Sequence, residues 1–257
     1  MHGGTQYGFI INVDTQGSGT TPDPDRPALR ERIYRVVEDA LGKADIADAR
    51  LAQEDRGDGI LAVVEPHRPG SIVGEWTEYL HQNLRQVNRE LDRPLRLRAG
   101  LGVGPFTPDG HGFSGAAVDL ACRIGNCEEA KAVLAAVPDA PLLVAVTDRL
   151  HQDVVRHGGR WIEPAYYRQY RVRLKEGEQQ AWFTVPGLGA PPPAAGRDGV
   201  LPTPADPGPT AARRRDESAG FHFGNVTASD SAQVLQGQFG DITFDHRRGG
   251  TGSGGTS

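Results

Sequence analysis

Two aspartates stand where carboxylates can do chemistry. Asp14 closes an apolar run, Tyr7 to Val13 (YGFIINV), and Asp58 lies in the turn Asp55-Arg56-Gly57-Asp58-Gly59. If the strand that ends at Asp14 lies beside the strand that follows Asp58, the two carboxylates converge at one edge of a sheet. A pair of hard oxygen donors suits Mg²⁺ or Mn²⁺, and such ions hold triphosphate oxygens. The loop after Asp14 carries Gln16, Gly17, Ser18 and Gly19. It leads to a helix N-terminus, a place that favours phosphate. Local roles also account for these residues: aspartate in a turn bonds its own backbone, and Asp14 can cap a helix.

The elements that must position the pair follow from hydrophobic periodicity. YGFIINV predicts a buried strand. A helix begins near Pro27, with Leu29, Ile33, Val36, Val37, Ala40 and Leu41 at helical spacing and Gly42 at its end. Ala49 to Glu54 and Ile60 to Val64 predict two strands around the Asp/Gly turn, a hairpin. A second helix runs from about Ile72 to Leu91, and Pro94 opens the strand LRLRAGLGVG. Helix covers Gly115 to Ala136, a strand Leu142 to Val146, and a short helix Asp148 to His157. Tyr170 to Leu174 and Ala181 to Val185 pair as a last hairpin. The order predicts an α+β, ferredoxin-like split βαβ domain, with one antiparallel sheet and helices on one face.

Hydrophobic residues make up only 37% of the 257 residues, and the Gly and Pro are concentrated late in the chain, so one compact domain with a low-complexity tail is expected. The formal net charge of −5 supplies no basic footprint for nucleic acid or an anionic membrane. Cys122 and Cys127 lack histidine partners and read as buried thiols in a reducing cytoplasm. Neither a signal peptide nor an apolar run long enough to span a bilayer is visible, so a cytoplasmic location is expected.

The stretch LRLRAGLGVGPFTPDGHGFSGAAVDLACRI resembles the class III adenylate/guanylate cyclase segment of strand, glycine-containing turn and helix with a V-N-L-A-x-R pattern. Here the helix reads Val118-Asp119-Leu120-Ala121-Cys122-Arg123. The strand ending at Asp14 and the Gly57-Asp58-Gly59 turn match in the family's order, so the resemblance covers residues 7 to about 186. It implies that Asp14 and Asp58 hold two divalent metals. It implies that Arg123 stabilises transition-state charge and that Lys175 contacts the terminal phosphates. It also implies a head-to-tail homodimer acting on an NTP at two interface sites, with the metals held by one subunit and the arginine supplied by the other. Asp119 stands where the family usually has a ribose-orienting Asn. Glu54 and Gly112 occupy the two base-reading positions and match neither an adenine pair nor a clean guanine pair. Bacterial anti-phage pyrimidine cyclases of this class also depart there, which points to cCMP or cUMP, with cGMP next. A catalytically inactive nucleotide-binding or signalling module is the alternative.

The expected domain occupies 5–186, followed by a disordered Pro/Gly/Ala-rich linker at 187–220 and a flexible tail at 246–257. Between them, 221–245 alternates polar and apolar residues and is rich in Asn, Gln, Ser and Gly. It suits stacked strands with amide ladders, or a small hairpin or unstructured tail. Its N-V-T-A-x-x-x-A-x-V-x-x-G pattern resembles amyloid signalling motifs of immune receptors. That resemblance implies an upstream NTPase receptor with a matching motif.

Overall fold

The computed structural model describes residues 4–20, 22–109, 112–175 and 177–193. The strands are β1 (Gln6–Thr15), β2 (Arg50–Asp55), β3 (Gly59–Val64), β4 (Leu97–Pro108), β5 (Phe113–Ser114), β6 (Leu142–Thr147), β7 (Arg168–Leu174) and β8 (Gly177–Thr184). The helices are α1 (Arg26–Lys43), α2 (Thr77–Asn88), α3 (Ala116–Asn126), α4 (Glu128–Ala135) and α5 (Asp148–Asp153). The sheet runs β2-β3-β1-β4-β6-β8-β7, and β5 pairs with the far end of β4. The class expected from the sequence, α+β with a ferredoxin-like strand order, is the class observed.

Two expectations are corrected. The sheet is mixed, because β4 and β6 run parallel, Leu97 opposite Leu142 and Leu101 opposite Val146. The connection between them passes through α3 and α4, and a crossover of that length returns the chain in the same direction. Helices also cover both faces. Phe9, Ile11 and Val13 of β1 pack in one core with Ile33 and Val37 of α1 and Leu80 and Leu84 of α2. Ile10 packs on the other face with Val118 and Ala121 of α3. The reason is legible in the burial of β3 and β6, where every residue is buried. A strand that is apolar at consecutive positions must be covered on both sides.

Element ends shift by a few residues. Gly42 lies inside α1, and the chain leaves that helix at Ala44 and Asp45, the latter at φ 57. The predicted helix from Ile72 is two pieces, a π-helical stretch at Ser71–Trp76 and then α2. Trp76, fully buried, sits at their junction. Beyond β8 the described chain continues over the domain: Pro191 is buried, and the Pro192 carbonyl accepts from the Tyr170 hydroxyl. The expectations for 194–257, including the 221–245 motif, lie outside the described residues.

Backbone packs directly on backbone where α3 meets β4. A Cβ at Gly100 would overlap the Ala121 carbonyl oxygen and come within 3.1 Å of the Gly125 amide nitrogen. The helix backbone therefore lies directly on the strand. Gly100→Ala should cost about 1–3 kcal/mol of stability, as overpacking does. Chemical denaturation of the purified variant reads this as a lower midpoint at unchanged slope, and an unchanged midpoint would sink it.

Candidate functional site

The β1 strand lies between β3 and β4, and its last turn of pleat decides what meets there. Asp14 is opposite Gly59 on one side and Arg98 on the other. Asp58 immediately precedes β3, and its carbonyl accepts from the Thr15 amide at 3.1 Å and the Thr15 hydroxyl at 2.8 Å. These bonds pin the hairpin turn to the end of β1. Gly57 adopts φ +83, a conformation that favours glycine, and so turns the chain in time to place Asp58 beside Asp14. The structure thus brings together the two aspartates that the sequence singles out.

Their electrostatics match that proximity. The Asp14 carboxyl is pushed up from its ordinary value, first by burial and then by the negative charge of Asp58. Three partners pull the other way: the Arg98 guanidinium, a hydrogen bond from Asn126, and the Thr15 amide, which donates at 2.8 Å. Asp58 accepts from the Ser18 hydroxyl. Ser18 belongs to the loop Gln16-Gly17-Ser18, so that loop folds over the pair. Gly17 is exposed at its apex. A cavity of about 840 Å³ opens beside it, lined by Ser18, Arg26, Arg30, Tyr34, Arg56 and Asp58 among others. Its arginines have local partners: Arg26 pairs with Asp23 at 3.0 Å, Arg30 with Asp55 at 3.5 Å, and Arg56 with Glu54 at 2.8 Å.

Arg98 and Asn126 escape sequence-based expectation. Arg98 is 4% exposed and lies 3.6 Å from the Asp14 carboxylate. Its Nε donates to the Gly125 carbonyl at 3.0 Å, one terminal nitrogen donates to Asn126 at 2.8 Å, and the other donates to Gln16. One buried guanidinium therefore ties the strand end, the loop and the end of α3 together. The alternation in Leu95-Arg96-Leu97-Arg98 reads as a half-solvated strand face. In the fold that face is covered: Arg96 donates to the Ala140 and Val137 carbonyls at 3.0 and 2.8 Å. The one available signal was an arginine in a strand able to pair with the end of β1.

The remaining expected residues divide into two groups. Glu54 and Gly112 do meet. The Glu54 carboxylate accepts from the Phe113 amide at 2.8 Å, and a Cβ at position 112 would overlap it. Asp119 and Arg123 lie one turn apart on α3, 3.9 Å from each other. The Cys122 thiol between them is pushed up to about 11, chiefly by burial, and it feels Arg56, Asp119, Glu54 and Asp14. Cys122, in the middle of α3, is thus within electrostatic reach of both Glu54 and Asp14. Lys175 is not brought there. It is exposed in the turn between β7 and β8. Thr184 pairs with Val144, next to Leu143 at the Asp14 level of the sheet, so the strand rise puts that turn roughly 24 Å farther along β8.

This topology matches solved structures. The guanylyl cyclase Cya2 is 16% identical, with a TM-score of 0.53 over 74% of this chain and 96% of that one. The adenylate/guanylate cyclase/hydrolase from Silicibacter pomeroyi is 18% identical, with a TM-score of 0.54 over 72% and 99%. The fold is that of a class III adenylate/guanylate cyclase domain. A bacterial light-regulated adenylyl cyclase also shares the cyclase fold, at 14% identity and a TM-score of 0.54, over 74% of this chain and 55% of that one. No family model matches the chain, and no curated protein does. In this cyclase fold, Asp14 and Asp58 occupy one end of the sheet and the Lys175 turn is far from them.

The raised Asp14 carboxyl has a sign that can be tested. A raised aspartate disfavours its ionised form in the folded chain. Its cost to stability is absent below the ordinary aspartate value and grows as pH rises through the ordinary value to the folded one. Asp58→Asn removes one of the two causes. It should lower the Asp14 titration midpoint by carboxyl NMR and stabilise the metal-free protein at pH 7 relative to pH 3. An Asp14 midpoint that is unmoved in Asp58→Asn contradicts the coupling.

Proposed function

We propose that the chain is a nucleotidyl cyclase, converting an NTP to a 3′,5′-cyclic nucleotide and pyrophosphate. The convergence of Asp14 and Asp58 at one end of the sheet, in a cyclase fold, carries this reading. The donor set fits Mg²⁺ or Mn²⁺, two per active site. All the side-chain donors are oxygens, and burial together with the Asp58 charge makes the ionised Asp14 costly in a half-buried setting that the Arg98 charge only partly balances. Magnesium commonly takes one or two carboxylates and completes its shell with substrate phosphates and water. Bound between Asp14 and Asp58, such ions supply charge neutralisation for the triphosphate and a more acidic ribose 3′-hydroxyl.

The chain's own groups do the rest. Arg98 and Asn126 favour the ionised form of the Asp14 carboxylate and aim it. Gly17 and Ser18 bring loop N–H donors to the phosphates. The 3′-oxygen attacks the α-phosphorus in line, its proton leaves to solvent, and the bond to pyrophosphate breaks. Arg123 offers a fork of donors to the charge that develops on the α-phosphoryl oxygens. Asp119 accepts from a ribose hydroxyl, and Glu54 beside Gly112 faces the base. Because the Lys175 turn lies so far from Asp14 in its own chain, Lys175 reaches terminal phosphates only in a homodimer with sites shared between two copies. The departures at Glu54 and Gly112 favour a pyrimidine product, with cGMP next.

Incubation of the purified protein with each NTP and Mn²⁺, read by mass spectrometry, tests the activity. A cyclic nucleotide from at least one NTP is expected. Asp58→Ala should abolish it, and Arg123→Ala should slow it by about 100-fold or more. No product from any NTP at high protein concentration ends the proposal. That result would favour a non-catalytic nucleotide-binding module, a reading supported by the Glu54 carboxylate being engaged by the Phe113 amide and Arg56.

The biological role proposed is that of a signalling or anti-phage defence effector, clustered through 221–245 by an NTPase receptor with a like motif. The pattern of that segment is the support. A synthetic peptide of residues 221–244 should form fibrils that bind amyloid dyes. A peptide that stays soluble and unstructured at high concentration removes the recruitment idea while leaving the catalytic proposal intact.

A further inference from the structure

A second cavity, of about 320 Å³, shares no lining residue with the one beside Asp58. It opens between the π-helical stretch that precedes α2, the connection from α5 to β7, and the segment after β8. Its walls include Trp161, Tyr166 and Tyr167, and its carboxylates are Glu78 and Glu163. Among the described residues, no lysine, arginine or histidine lines it.

Several features show that this site is built rather than incidental. Trp161 is 48% exposed, although the other two tryptophans are buried. It is held outward at φ 59, a left-handed conformation that a bulky residue seldom adopts. The loop around it is fixed: Gly159 and Ile162 exchange backbone hydrogen bonds at 3.2 and 3.0 Å. That loop also lies so close to Gly74 that a Cβ there would overlap the Arg160 carbonyl. The Tyr79 and Trp161 rings form a T-shaped pair, with centroids 5.5 Å apart and planes at 84°. Tyr167 is 6% exposed, and burial pushes its hydroxyl above the ordinary range. The Trp161 ring already takes a cation on the molecule itself: the Arg160 guanidinium sits 4.5 Å from its centroid, anchored by Glu75 at 3.4 Å.

Aromatic faces attract cations through the ring quadrupole, and the attraction grows as the cation is desolvated. The Glu78 and Glu163 carboxylates add charge complementarity, although Glu78 also accepts from Gln82 at 2.6 Å and lies 3.9 Å from His81. A small anion or a neutral apolar molecule finds neither. We propose that this cavity is a recognition site for an organic ammonium group, either a free polyamine or quaternary amine, or a lysine side chain of a partner protein. The proposal does not rest on the cyclase activity, and its readout is independent of turnover.

Trp161 supplies the readout, because Trp76 and Trp182 are 0% and 7% exposed. The full chain is titrated at constant ionic strength with tetramethylammonium, spermidine and a capped Gly-Lys-Gly peptide, following tryptophan emission. The neutral isostere tert-butanol serves as control. Saturable shifts are expected with at least one of the ammonium ligands and not with tert-butanol. The double variant Glu78→Gln/Glu163→Gln, shown to be folded by circular dichroism, should raise the half-saturating concentration at least tenfold. Saturation by spermidine or tetramethylammonium with a silent peptide assigns the site to free amines, and saturation by the peptide assigns it to a protein lysine. The proposal is overturned if no ammonium ligand saturates, if tert-butanol matches them, or if the double variant binds unchanged.

Discussion

Asp14 sits near the end of β1, half-buried, beside another carboxylate and across from a buried arginine. Burial and Asp58 work against its charge, and Arg98, Asn126 and Thr15 work for it. Each of these partners arrives from a different element. The hairpin between β2 and β3 delivers Asp58, β4 delivers Arg98, and the end of α3 delivers Asn126. The arrangement holds only while β1 stays paired on both sides in its present register. A slip of one residue would turn Asp14 to the opposite face of the sheet and into the core that α1 and α2 cover.

That register is set by apolar packing rather than by the polar groups. Alternate residues of β1 enter different cores: Phe9, Ile11 and Val13 face α1 and α2, and Ile10 faces α3. Fully burying such a side chain contributes about 1.5–3 kcal/mol, so the strand is locked by several of them before any ion pair forms. The unfavourable charge at its end is thus carried by a core that lies elsewhere. Local cost placed at a site and offset by distant packing is a common signature of functional positions.

Much of this was legible in the residues. Runs such as Ile60 to Val64 and Leu142 to Val146 announce strands, and Asp14 and Asp58 stand out because each follows or precedes one. What stayed hidden has physical causes. Whether helices cover one face or both depends on tertiary packing that the strand order alone does not convey, although the unbroken apolar character of β3 and β6 pointed to two. The π-helical stretch at Ser71–Trp76 has the same periodic apolar content as an ordinary helix. Arg98 was invisible because an arginine in an alternating strand resembles a solvated one. Only the backbone carbonyl of Gly125 and the side chains of Gln16 and Asn126 reveal it as a buried clasp. Lys175, by contrast, was visible in sequence but lies far from the aspartates within one chain.

The absence of a side chain at Gly100 has a mechanical consequence. With the backbone of α3 pressed against β4, the helix has no cushion of flexible side chains on which to slide or rock, and a packed interface of this kind resists small continuous deformation. Strand and helix therefore move as one plate, carrying Arg98, Asp119, Arg123 and Asn126 together. Movement at this end of the sheet is left to the parts at the rim, the Gly57 turn and the loop at Gly17, which hydrogen bonds through Asp58 join to the end of β1.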